Sequence, residues 1–121
     1  MDRYEAQYGF WSGFNIPAYE ENAVPDVDEI TYPYITYQAV SAPFDGDVPI
    51  NASIWTRSTT WAGADALADA IEAELRNGGK VVPYTGGMIW VTAGSPFAQS
   101  MGDPNDDRIK RKLLSVTLHF A

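Results

Sequence analysis

The chain reads as an α+β protein: a single domain, residues 1–121, with an antiparallel or mixed sheet of about five strands packed by two helices. Three observations predict this. One segment, Trp61–Asn77, carries a helical stripe of apolar residues. Several shorter segments alternate apolar and polar residues or are rich in β-branched and aromatic ones. Turn chemistry of the hairpin kind joins those strands, so they pair mainly with sequence neighbours, and the helices pack on one face. At 121 residues the chain is long enough for one ordinary domain and too short for two.

Residues 1–14 hold Tyr4, Tyr8, Trp11 and Phe14 at spacings of 4, 3 and 3, which predicts a short amphipathic helix ending near Gly13. Asn15–Ile30 has Pro17, Pro25 and five acids (Glu20, Glu21, Asp26, Asp28, Glu29) and no period, so it reads as an irregular, solvated connection. Thr31–Val40 suits a pleated surface. Tyr32, Tyr34, Thr36 and Gln38 share one face, Pro33, Ile35, Tyr37 and Ala39 the other, and Pro33 belongs at the strand start or on an edge. Ala42-Pro43-Phe44-Asp45-Gly46-Asp47 is a turn. Val48–Thr59 follows as the antiparallel partner, with Ile50, Ala52 and Ile54 alternating with Asn51, Ser53 and Trp55.

In the second helix Trp61, Ala64, Ala68, Ile71 and Leu75 form the stripe, and Leu67 widens it. Thr59 or Thr60 is placed to cap it, and Asn77-Gly78-Gly79 permits a left-handed exit. Six alanines make the helix thin. Lys80–Tyr84 and Met88–Thr92 form a hairpin about Thr85-Gly86-Gly87. Ala93–Asp107, with Gly94, Pro96, Gly102 and Pro104, reads as a long irregular loop. The last strand, Arg111–Phe120, sets Leu114, Val116, Leu118 and Phe120 against Leu113, Ser115, Thr117 and His119. An aromatic second face carrying Tyr32, Tyr34, Trp55 or Trp90 calls for a covering partner.

Composition narrows the function. Sixteen acids against eight Lys and Arg give a net charge of −8, which opposes general nucleic-acid binding and docking on anionic membranes. No apolar run approaches the ~20 residues of a membrane span, and no secretory signal is visible at the N-terminus. With no cysteine there is no disulfide, thiolate metal site or cysteine nucleophile. Asp103, Asn105 and Asp107 match the first ligand positions of a calcium loop, but Arg108 and Leu114 stand where glycine and the bidentate acid belong, so the match fails. His119 is the single histidine, on the polar side of a strand, and no particular serine is singled out as its partner. No phosphate-binding glycine motif is present. No catalytic, cofactor or metal residue is therefore expected, and the chain reads as a non-enzyme. Candidate contact residues are Pro96, Phe97 and Met101 in the long loop and Arg108, Lys110, Arg111 and Lys112 in the one basic strip. That strip is either a charged strand edge that blocks stray pairing or a docking strip for the acidic 20–29 segment of a neighbouring copy.

The stretches Phe14-Asn15-Ile16-Pro17-Ala18-Tyr19, Asn22-Ala23-Val24-Pro25, Tyr32-Pro33-Tyr34-Ile35-Thr36-Tyr37, Ser53-Ile54-Trp55-Thr56-Arg57-Ser58, Ser95-Pro96-Phe97-Ala98-Gln99 and Asp103-Pro104-Asn105-Asp106-Asp107 occur in an order that resembles small phage and prophage proteins of the siphophage tail-completion region. The resemblance runs from Phe10 to Phe120 and points to the tail terminator, or head–tail joining, family. It departs at the short, aromatic N-terminal segment. It implies a small α+β domain that acts as a hexameric ring of identical copies on the head-proximal end of the tail tube. Such a ring stops tube polymerisation and offers a surface to the head-side connector. The implied partners are copies of itself, the tail-tube protein and the connector or stopper, without cofactor, and the implied place is the virion tail, after assembly in the host cytoplasm. The alternatives are another connector or adaptor, a tail-tube subunit, a small hydrolase using His119 or an Asp103/Asp107 metal site, or a ligand-binding module on the aromatic face.

Overall fold

A computed structural model describes residues 1–26, 28–43 and 45–121; Val27 of the acidic connection and Phe44 of the predicted turn lie outside them. The elements are α1 (Arg3–Ser12), β1 (Ala18–Glu20), β2 (Tyr34–Tyr37), β3 (Asp47–Arg57), α2 (Ala62–Leu75), β4 (Lys80–Tyr84), β5 (Gly87–Gly102) and β6 (Ile109–Phe120). They build one six-stranded sheet in the order β1-β2-β3-β6-β5-β4. β1 runs parallel to β2 and every other pairing is antiparallel. The α+β class and the mixed sheet stand, with six strands instead of about five.

The additional strand is β1, inside the segment read as irregular. Three residues are too few to display alternation. Its place comes from backbone bonds to β2: Ile35 N–H donates to Pro17 O and Glu21 N–H to Tyr37 O, both at 2.8 Å.

Both helices lie on one face. α2 packs across β3, β5 and β6, while α1 touches β1 at one edge of the sheet and β4 at the other. Five inter-strand gaps of ~4.8 Å would hold those edges ~24 Å apart in a flat sheet, and a helix with its side chains is only ~10–12 Å wide. The sheet therefore curls around α1. Asp2 and Glu5 start the helix with a reciprocal capping box, the Asp2 carboxylate accepting from Tyr4 and Glu5 N–H at 2.9 and 2.8 Å. The inward stripe is Ala6, Gln7 and Trp11, with Phe10 and Phe14 packed beside them. This corrects the expected stripe: Trp11 and Phe14 belong to it, but Tyr4 and Tyr8 point outward and are about half exposed. A helix inside a curled sheet needs a small residue at its closest approach, here Ala6. It also tolerates a polar one if the amide is satisfied. Gln7 accepts from Val40 N–H at 3.0 Å and donates to Val40 O at 2.8 Å, pairing with the chain beyond β2 as a strand residue would.

α2 buries Ala64, Ala68, Ile71 and Leu75 as the spacing predicts. Its N-cap is Trp61, without a side-chain cap bond, so neither Thr59 nor Thr60 serves there. Thr60 N–H bonds instead to Ser58 Oγ. The exit passes through Asn77, Gly78 and Gly79, all at positive φ. A side chain at Gly79 would also collide with Val91 O and the Trp90 indole nitrogen.

The largest correction concerns 93–107. β5 continues to Gly102, and only 103–108 turn back to β6. Between Ala93, paired with Val116, and Ala98, paired with Leu114, the ladder is interrupted. Residues 94–97 bulge opposite Ser115, so Pro96 sits where no ladder N–H is needed. The core joins Trp11, Ile35, Ile54, Ile71, Ile89, Val91, Leu114, Val116 and Leu118, all essentially inaccessible.

Trp11→Ala should destabilise the fold by about 3–5 kcal/mol. Gln7→Ala should cost about 1–3 kcal/mol because it strands the Val40 backbone groups. Urea denaturation followed by far-UV circular dichroism checks both.

Candidate functional site: the sheet face opposite the helices

Strand alternation sends one side chain in two to the face that α1 and α2 do not cover. The register aligns these side chains into rows that cross the strands. Near one end Tyr34, Trp55, Arg111 and Met101 stand abreast on β2, β3, β6 and β5. Near the other end Asp47, His119, Trp90 and Val81 do so on β3, β6, β5 and β4. Between them lies a strip where the polar Asn51, Ser115 and Thr117 stand beside Pro49, and a shallow groove runs up to Gly94 and Ser95 of the bulge.

The first row is a ladder of flat groups. The Tyr34 and Trp55 rings are nearly parallel, 11° apart with centroids 6.1 Å apart. The Arg111 guanidinium lies 5.0 Å over the indole and donates through Nε to the buried Ser53 hydroxyl at 2.9 Å. The Trp55 indole N–H donates to Thr36 Oγ1 at 2.9 Å. Tyr32 and Tyr19 crowd Tyr34 from the side, with centroids at 5.3 and 6.1 Å. The aromatic face is thus partly self-covered, since Tyr34 keeps only 7% of its surface. Burial, then the neighbouring Tyr32 and Tyr19, push the Tyr34 phenol up to about 12. Burial, then Glu20 and Tyr8, raise Tyr37 on the helix side.

The second row includes a polar relay. His119 Nδ1 lies 2.7 Å from Asp47 Oδ1 and Nε2 3.0 Å from Thr92 Oγ1. A proton on Nδ1 lets the ring donate to Asp47 and accept from the Thr92 hydroxyl. Trp90 leans on the imidazole at 4.6 Å and remains 42% exposed. The line follows from register, because Asp47 and Trp90 are the cross-strand neighbours of His119 on its two sides. Asp47 is 64% exposed, so solvent screens its hold on the ring.

The residues singled out in the sequence separate. Phe97 turns to the helix side and lines a groove with Asp65, Ala68, Asp69, Glu72, Ala98 and Lys112. Met101 lies on the opposite face beside Arg111, and Pro96 is exposed in the bulge. The basic strip is divided by alternation. Arg111 joins the aromatic ladder. Lys112 turns to α2, where it bonds to Asp65 Oδ1 at 2.7 Å and to Ser100 Oγ at 2.9 Å. Lys110 and Lys112 both approach the Trp61 ring, and Lys110 Nζ donates to Asp107 O. Arg108 remains exposed at the turn. Asp103 and Asp106 accept from the N–H groups of Asn105 and Arg108, which makes them turn-forming acids. No cluster of three or more metal-ligating side chains occurs among the described residues, and none of the helices is long and apolar enough to cross a membrane.

The relay and the cross-strand rows escaped sequence reasoning because both depend on register: β3 and β6 are far apart in sequence, and reading 93–107 as a loop left the β5–β6 register open. Comparisons with protein-family models, curated proteins and solved structures gave no match.

The raised phenol carries a pH signature. Between about pH 10 and 12 the unfolded chain loses the Tyr34 proton before the folded one does. Stability is therefore fully present below about pH 10 and declines as pH rises through about 12. Tyr34→Phe should flatten that decline in urea midpoints measured across the same range.

Proposed function

We propose that this chain is a structural subunit of a phage tail, a tail terminator that closes the head-proximal end of the tube as a ring of identical copies and presents a surface to the head connector. The observation that carries the reading is the sheet face opposite the helices, where Trp90, Met101, Met88 and Val81 remain 40–50% exposed around a polar middle. Apolar groups held on a rigid sheet beside hydrogen-bonding side chains suit a surface that a partner covers. The resemblance in the order of short motifs along the chain supports the same reading and supplies the partners: sibling copies making a six-membered ring, the tube protein and the head-side connector. The work is done by shape, in the host cytoplasm during assembly and then in the virion tail, and it requires no cofactor.

Tails assembled without this chain should exceed their normal length and remain detached from heads, as electron microscopy of lysates would reveal. A Trp90→Ser, Met101→Ser double variant should keep its circular dichroism spectrum and fail to join heads to tails. Tails of normal length, attached to heads, in the absence of the chain would overturn the reading.

The relay favours a second reading, an esterase in which Thr92 attacks, His119 takes its proton and Asp47 orients the ring. An oxyanion would need convergent donors, whereas alternation along β5 aims successive N–H groups to opposite sides, that of Thr92 toward β6 and that of Val91 toward β4. Turnover of p-nitrophenyl acetate that falls by about 100-fold or more in Thr92→Val and in His119→Gln would establish it. Turnover equal in parent and variants would dismiss it.

A further inference from the structure

The eight lysines and arginines are almost all occupied within the fold. Arg57, Arg76, Lys80 and Lys112 pair with Asp106, Glu72, Glu74 and Asp65. Arg3 donates to Ser41 Oγ, Lys110 to Asp107 O and Arg111 to Ser53 Oγ. The remaining cation is Arg108, whose side chain bonds to nothing among the described residues. Its backbone is nonetheless fixed at both ends. Its N–H donates to Asp106 Oδ1 at 2.9 Å, and its carbonyl accepts from Ser58 N–H at 2.8 Å. The guanidinium is thus displayed from a pinned turn.

The groove between α2 and the β5 bulge has the complementary character. Phe97, Ala68 and Ala98 give it apolar walls, and Asp65, Asp69 and Glu72 rim it. Lys112 already neutralises Asp65 at one end. Glu72 has only a long, exposed contact to Arg76, at 3.4 Å. Asp69 is exposed and pairs with no cation among the described residues. A flat cation that can lie against a phenyl ring and fork onto a carboxylate fits this groove better than an ammonium does.

Arg108 cannot reach its own groove. Lys112 faces Asp65, so Arg108 lies four strand residues, ~13 Å, to one side of that point. Asp69 lies four helix residues, ~6 Å, along α2 from Asp65, and α2 and β6 run in the same sense, Lys110 meeting Trp61 and Lys112 meeting Asp65. Laid end to end, these offsets put Asp69 up to ~19 Å from Arg108, well beyond the reach of an arginine side chain.

We propose that the groove receives Arg108 of a second copy of this chain, the guanidinium lying against Phe97 and pairing with Asp69 and Glu72. The inference rests on the assembly reading and deepens it by naming the lateral contact. The two patches differ, so the contact is head-to-tail, and repetition closes a ring when the rotation between copies allows.

The chain has no cysteine, so an introduced pair reports on this contact alone. Oxidation of an Asp69→Cys, Arg108→Cys double variant should give a ladder of covalent multimers ending in a closed species, whereas either single variant should stop at dimers. By sedimentation velocity at low salt, Arg108→Glu should weaken self-association by at least about 10-fold, and so should Asp69→Arg. Combining the two should restore much of it, which a folding defect in either variant would not do. Rings that form equally well with Arg108→Glu, or a double variant that oxidises only to dimers, would overturn the contact and leave the assembly reading standing. A parent chain that stays monomeric at its highest soluble concentration and also in the presence of tail tubes would overturn both.

Discussion

The structure depends on a helix seated inside a curled sheet. α1 meets both edges, and two of its residues hold the curl by different means. Trp11 supplies bulk, nearly parallel to the Tyr37 ring at 17° and 6.2 Å. Gln7 supplies direction, because an amide that pairs with both backbone groups of Val40 tolerates little sliding. Without α1 the edges β1 and β4 would separate and expose Ile89, Val91 and Leu118, which are now inaccessible. Ten residues of helix thus determine the curvature on which the far face depends.

Curling one face inward turns the other outward. The core side chains of β3, β5 and β6 face the helices, so the same strands present Trp55, Arg111, His119, Trp90 and Met101 on a convex, rigid surface. The two ends of that surface are held differently. The Tyr34–Trp55–Arg111 ladder spends its ring faces internally and gives stiffness. The Trp90 end spends one ring face on His119 and keeps substantial indole surface open. Differential exposure along one face suits a docking surface, where a few apolar anchors carry binding and the polar middle provides register.

How much of this was legible in the sequence follows from what each element depends on. α2 announced itself, since Ala64, Ala68, Ile71 and Leu75 repeat at helical spacing and bury as a stripe. β3 and β6 were legible because alternation over more than ten residues is hard to mistake. α1 was legible as a helix but not in its orientation. Aromatic spacing nominated Tyr4 and Tyr8, and tertiary pairing chose Ala6 and Gln7. β5 was misread because Gly94 and Pro96, ordinarily loop residues, are concentrated in a bulge that needs no ladder bonds. The basic strip looked continuous along the chain. Only knowledge of the strand start at Ile109 and of α2 lying above shows that alternation hands Lys110 and Lys112 to Asp107, Trp61 and Asp65, and Arg111 to the opposite face.

That division bears on the proposed packing between copies of a chain whose net charge is −8. Like-charged subunits repel over roughly a Debye length, about 8–10 Å in ordinary salt. A basic strip offered whole to the acidic 20–29 segment would have offset the repulsion directly. The fold instead uses most of its cations to hold its own strands and helix together, and leaves the Glu20–Glu29 acids without an ion pair among the described residues. In the proposed assembly, attraction between copies would then come from apolar area, with charge selecting the register. A lone, pinned Arg108 is suited to that role. One well-placed cation among many acids costs little when paired correctly, and every misaligned approach sets acid against acid. In the proposed ring, a misaligned copy would meet more like charge than a correctly seated one, which is how a single cation can select an orientation without carrying the binding.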